Sequence, residues 1–99
     1  LILTTGGTGF SPRDITPEAT MAVATRNAPG IAEAIRYHSL AITPRGMLSR
    51  GASVLRGKTL IVNLPGSPKA VREDLEYLLP SLEHGVRIAA GLDGECACK

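Results

Sequence analysis

The opening of this chain, LILTTGGTGFSPRDITPEAT over residues 1 to 20, restricts its fold more than any other segment: an apolar run passes into a glycine-rich turn and then a helix start. Leu1, Ile2 and Leu3 form a continuous apolar run, the pattern of a strand covered on both faces in a parallel sheet. Thr4 and Thr5 close it. Gly6, Gly7 and Gly9 then allow several backbone N–H groups to converge on one anion, and Thr8 adds a hydroxyl among them. Thr16 suits a helix N-cap, Pro17 the first helical position and Glu18 the positive end of the helix dipole. A strand end, a glycine turn and a helix N-terminus in this order predict a phosphate-bearing ligand. Asp14 lies between turn and helix. A carboxylate repels phosphate, so its expected work is to hold Mg2+ or to orient an attacking group.

A second loop has the same kind of setting. Val54-Leu55 and Thr59-Leu60-Ile61-Val62 read as strands around a hairpin-like corner at Gly57-Lys58, with Asn63 ending the second strand. The loop 63 to 68 therefore follows a strand, as the glycine turn does. If the two strands are parallel in one sheet, both loops meet on one rim with a site between them. Pro65 and Pro68 stiffen this loop, Gly66 lets a ligand approach the backbone, and Ser67 is an expected N-cap.

The remaining segments read as support. Residues 17 to 26 are expected to form a first helix, and Ile31, Ala34, Ile35 and His38 mark the core stripe of a second. His38 reads as a structural histidine. Residues 44 to 51 form a short helical turn or a connector. From Pro68 onward, Val71, Leu75, Leu78, Leu79 and Leu82 give the clearest core stripe, with Arg72, Glu73, Asp74 and Glu76 on the solvent side. Pro80 is expected to break or kink that helix, leaving Ser81 to Ala90 as a separate segment. Residues 1 to 91 make one domain, and residues 92 to 99 a fraying tail whose Cys96 and Cys98 are too few to complete a tetrahedral zinc site.

Eleven basic and nine acidic residues give a net charge of +2, which makes no case for a nucleic acid or an anionic membrane as partner. Aromatic content of 3% removes base-stacking platforms too. The apolar runs are far shorter than the ~20 residues of a membrane span, and a cytoplasmic location is the default expectation. The P-loop, dinucleotide-fold and nucleophile-elbow motifs do not occur.

The stretch TTGGTGFSPRDITPEAT, together with Asn63-Leu64-Pro65-Gly66-Ser67-Pro68-Lys69-Ala70, resembles the two signature loops of the molybdopterin adenylyltransferases, the family of the MogA-type enzymes and the G domain of gephyrin. The resemblance implies a three-layer α/β/α domain with a mostly parallel sheet, of which this chain would be the C-terminal portion, lacking the N-terminal strands and an acidic residue on them. It implies Mg2+-dependent reaction of ATP with molybdopterin to give adenylyl-molybdopterin and pyrophosphate, in homotrimers that hand the product to a molybdate-inserting enzyme. Asp14 would be the catalytic and Mg2+-binding residue. Thr5, Gly6, Gly7, Thr8 and Gly9, with Ser49, Arg50, Asn63, Pro65, Gly66 and Ser67, would contact the substrates, Asn63 meeting the edge of the pterin. A non-catalytic pterin-binding scaffold and a molybdate-inserting ligase are the alternatives. The ligase carries a Ser-Gly-Gly-Val-Ser-type turn where this chain has Thr5-Gly6-Gly7-Thr8-Gly9.

Overall fold

The computed structural model describes residues 1–92, which form a four-stranded sheet flanked by helices on both faces. Strand β1 (Ile2–Thr5) leads through the glycine turn to helix α1 (Thr16–Val23), followed by β2 (Arg26–Asn27) and α2 (Pro29–Leu40). A 3-10 turn over Pro44–Leu48 precedes β3 (Ser53–Arg56), β4 (Thr59–Leu64) and α3 (Pro68–Ala89). The strand order is β1-β4-β3-β2. Strands β1 and β4 run parallel, with Ile2 opposite Ile61 and Thr5 opposite Leu64, so the expected neighbouring of the two loops follows directly. The other two pairings, β3 with β4 and β2 with β3, are antiparallel. The sheet is therefore mixed, a difference from the mostly parallel sheet expected. The cause is the short corner at Gly57-Lys58, where Gly57 at φ 56° lets the chain reverse and form a hairpin.

Strand β4 organises the layers because its side chains alternate between faces. Leu60, Val62 and Leu64 join Ile35 of α2 and Leu78 and Leu82 of α3 in one buried cluster. Each fully buried aliphatic chain of this kind contributes about 1.5–3 kcal/mol. Ile61 and Asn63 face the opposite side, where the Asn63 amide reaches Thr20 of α1. Helices α2 and α3 thus cover one face and α1 the other, giving the three-layer α/β/α arrangement.

Several sequence expectations are corrected. Strand β1 is an edge strand with Leu1, Ile2 and Leu3 all exposed, whereas its apolar run suggested burial on both faces. Leu79, expected in the core, is also exposed, and Leu1, Leu79, Leu82 and Val86 line an apolar groove beside this edge. Helix α1 stops at Val23, and Arg26–Asn27 pairs with β3 instead of continuing it. Its N-cap position is Ile15, not Thr16, with no side-chain cap, and the Thr16 N–H is bound to the Gly7 carbonyl at 3.1 Å. Helix α3 runs unbroken through Pro80. Both Pro80 and Glu76, whose carbonyl loses its helical donor there, lie on the exposed side, so the gap opens to solvent and not into the core.

Asp74 is the clearest departure in charge placement. Expected on the solvent face of α3, it is buried to 2% exposure, and its Oδ2 has no hydrogen-bond partner. Burial pushes its carboxyl above the ordinary range, opposed by the nearby His38 and reinforced by Glu73. His38 itself stacks on Tyr77 with ring centroids 4.5 Å apart, in keeping with its structural role. The tail from residue 93, with Cys96 and Cys98, lies outside the described residues; Leu92 is exposed. No helix among the described residues is long and apolar enough to cross a membrane.

Candidate functional site: two loops on one rim

The two loops leave neighbouring parallel strands at the same end of the sheet and touch. The Gly6 N–H donates to the Leu64 carbonyl at 3.0 Å, extending the β1–β4 ladder one residue past β1 into the first loop. Beyond it the backbones come so close that a methyl group on Gly66 would lie 3.4 Å from the Gly6 Cα. Gly6 holds its place there with φ at 84°, in the left-handed region that favours glycine.

Gly7 then turns the chain with φ at 71°. A side chain there would be strained by the backbone angle and would also collide with the Thr16 hydroxyl. The result is a tight return of the loop onto the start of α1, secured by the Thr16 N–H on the Gly7 carbonyl. Asp14 closes the loop from the other side. Its Oδ2 accepts the Ser11 N–H at 3.0 Å, and its own N–H donates to the Ser11 carbonyl at 2.9 Å. A methyl group on Gly9 would lie only 2.9 Å from Asp14 Oδ2, so the carboxylate rests against bare backbone.

Among the described residues Asp14 Oδ1 makes no hydrogen bond, and the Asp14 side chain is half-buried. One oxygen is thus fixed and the other remains available. No group of three or more histidine, cysteine, aspartate or glutamate side chains that could hold a metal occurs among those residues. A single hard oxygen donor does not make a protein cage, but it does suit Mg2+, which keeps most of its shell as water and substrate phosphate.

With the geometry in place, comparison with known proteins is informative. Residues 1–84 match a family described as a probable molybdopterin binding domain. The chain belongs to this molybdopterin-binding domain family. It is 47% identical over 91 residues to the molybdopterin adenylyltransferase of Helicobacter pylori J99, covering 92% of this chain and 52% of that protein. It is 54% identical over 86 residues to the gephyrin of Dictyostelium discoideum, covering 87% of this chain and 12% of that protein. Among solved structures it superposes on the Mog protein of Mycobacterium ulcerans with a TM-score of 0.86 and 50% identity, over 91% of this chain and 59% of the other. The MoaB enzyme of Thermus thermophilus gives 0.82 and 54%, over 91% and 57%. The chain spans about half the length of the Helicobacter relative and little more of these two solved chains.

The residues singled out from sequence fall into distinct places. Thr5, Gly6, Gly7, Gly9, Asp14, Pro65, Gly66 and Ser67 lie on or beside the rim. Ser67 caps α3 as expected, its hydroxyl accepting from the Ala70 N–H at 3.4 Å. Thr8 is buried, so its hydroxyl is not displayed on the loop surface. Ser49 ends the 3-10 turn, with its hydroxyl accepting from the Gly51 N–H at 3.3 Å.

Asn63 is not in the loop at all. It lies within β4 at 3% exposure, and its amide is fully engaged. Nδ2 donates to Thr4 Oγ1 at 3.0 Å and Thr20 Oγ1 at 2.9 Å, while Oδ1 accepts the Ala52 N–H at 3.0 Å. Asn63 thus ties β1, α1 and the residue before β3 together from inside, with both Nδ2 hydrogens and Oδ1 engaged within the chain. Arg50 is likewise spent internally, on Glu18 and two carbonyl groups. Sequence reasoning missed Thr4, Thr20 and Glu18 as partners, since a lone hydroxyl or a surface glutamate carries no spacing signal.

Proposed function

We propose that this chain supplies the phosphate-handling rim of a molybdopterin adenylyltransferase, an enzyme of molybdenum cofactor biosynthesis. One observation carries the reading: the glycine turn and the Pro65-Gly66-Ser67 loop meet on one rim, with the Asp14 carboxylate fixed beside them. The names of the adenylyltransferase relatives support it.

In this reading a terminal phosphate oxygen of molybdopterin attacks the α-phosphorus of ATP. A new P–O bond forms as the α–β bridging bond breaks, and pyrophosphate leaves with the electron pair. Backbone N–H groups of the rim hold phosphate oxygens at fixed positions, so the two substrates are aligned at little reorganisation cost. Asp14 Oδ1 would hold the Mg2+ that accompanies ATP, and that ion would supply neutralisation of the phosphate charge. No covalent enzyme intermediate is required. The remaining half of the relatives' length would complete the pocket, and homotrimers in the cytoplasm, passing product to a molybdate-inserting enzyme, complete the proposal.

The test is mass-spectrometric detection of adenylyl-molybdopterin from ATP, Mg2+ and molybdopterin, with Asp14→Asn beside the unmodified protein. The expected result is product from the latter and a loss of about 10²-fold or more in rate for the variant. Retained molybdopterin binding without product, in a protein indifferent to Asp14→Asn, would instead establish a binding or scaffold module.

A further inference from the structure

Arg50 is the most heavily used side chain in the molecule's loops. It arrives from the segment after the 3-10 turn, more than thirty residues along the chain from its partners. Its backbone N–H donates to the Thr8 carbonyl at 2.7 Å. Its guanidinium donates from Nε to the Gly9 carbonyl at 2.8 Å and from Nη2 to the Asp14 carbonyl at 2.6 Å. Nη1 bonds Glu18 Oε2 at 2.5 Å, with Nη2 also reaching Oε1 at 3.4 Å. Every guanidinium nitrogen is engaged, so of its five N–H donors almost none remains for a substrate phosphate. An incoming phosphate would have to displace Glu18 or strip two loop carbonyls of their donors.

The places it grips matter more than their number. Gly9 and Asp14 are the two sides of the loop whose inner bond, Ser11 N–H to Asp14 Oδ2, fixes the carboxylate. Glu18 is in the first turn of α1, where the loop ends. We propose that Arg50 is a positioning residue, a clamp that holds the loop after β1 against the start of α1 and so sets where the Asp14 carboxylate points. It also neutralises Glu18, which would otherwise repel phosphates approaching the helix N-terminus. The guanidinium spreads its donors over three nitrogens in a rigid plane, one to each of three separate acceptors, whereas an ammonium's three donors sit on a single nitrogen and cannot span them.

The proposal rests on the adenylyltransferase reading for its kinetic consequence but not for its structural one, and the experiment separates them. Arg50→Lys, Arg50→Gln and Glu18→Gln are compared with the unmodified protein by two readouts: the kcat and KM for ATP in adenylylation, and amide hydrogen exchange at Ser11 and Asp14, with Val62 in β4 as the control for folding. For Arg50→Lys the clamp predicts kcat lowered by roughly ten- to a hundredfold, as a small misplacement of a catalytic group does, with KM for ATP little changed. Exchange at Ser11 and Asp14 quickens while Val62 stays protected. Glu18→Gln falls between, since both carbonyl bonds survive. A raised KM with unchanged kcat and unchanged exchange would make Arg50 a substrate ligand and overturn the proposal. If the unmodified protein forms no product, the functional reading fails, and exchange alone decides: faster exchange in Arg50→Lys supports the clamp, and unchanged exchange refutes it.

Discussion

The loop after β1 and the loop after β4 leave neighbouring strands at the same rim, yet the first is braced by a side chain from a distant segment, Arg50, and the second by little beyond its own helix cap. The first is tied by Thr16 to Gly7, by Ser11 to the Asp14 carboxylate, and by Arg50 to Thr8, Gly9, Asp14 and Glu18. The second has the Gly6–Leu64 bond at its entrance, Ser67 on Ala70 at its exit, Pro65 within it and Pro68 opening α3. The difference follows from what each displays. Backbone donors need only a correct chain path, which proline and a helix cap supply. A carboxylate must also point in one direction, and that takes supporting contacts.

Alanine at the two glycines breaks the comparison most sharply. Gly7→Ala places a side chain at φ 71° and against Thr16, and is expected to lower stability by about 1–3 kcal/mol, with the loop after β1 displaced. Gly66→Ala has no positive φ to oppose it and meets only the Gly6 Cα at 3.4 Å. It is expected to change stability by roughly 0.5 kcal/mol or less while crowding the rim and raising the KM for ATP. Denaturant midpoints and steady-state kinetics on the pair check both expectations, and similar stability losses would erase the distinction.

A smaller effect, of pH, sharpens it. The hydrogen bond from Arg50 holds the Glu18 carboxyl below its ordinary value. A carboxylate with a depressed folded pKa contributes stability above its unfolded pKa and loses it as pH falls through the folded one. Acidification should therefore loosen the loop after β1, seen as faster exchange at Ser11 and Asp14, before it touches the second loop, which has no carboxylate between Leu64 and Pro68. Asp74, titrating in the opposite sense, favours the fold at low pH and so does not mimic this loss.

How far these features were legible in sequence depends on whether backbone or side chains decide them. The shared rim was readable because two loops after adjacent parallel strands must emerge together, and β1 and β4 are parallel. The capping of α3 by Ser67 was equally local. Asn63 was not legible: in the run Thr59 to Leu64 one face is aliphatic core, while the other is a polar socket made by Thr4 and Thr20, residues 59 and 43 positions away. Asp74 was misread because charge on a helix usually marks solvent, and nothing local to the sequence shows that this position is buried beside His38 of α2. The exposure of Leu1, Ile2 and Leu3 escaped notice for a related reason, since an apolar run does not state which strand stands at the edge. Arg50 was recognised as placed near the site, but its acceptors are mostly carbonyl groups, which leave no trace in sequence.

The proposed function requires both loops to act as a single phosphate-binding rim. The most direct test is a titration of the isotope-labelled protein with Mg2+ and ATP, following the backbone amide signals by NMR. The account predicts that Gly7, Thr8, Gly66 and Ser67 shift together along one binding curve, and that signals lining the apolar groove at Leu79 and Val86 stay fixed. Shifts confined to one loop, or centred on that groove, would contradict it.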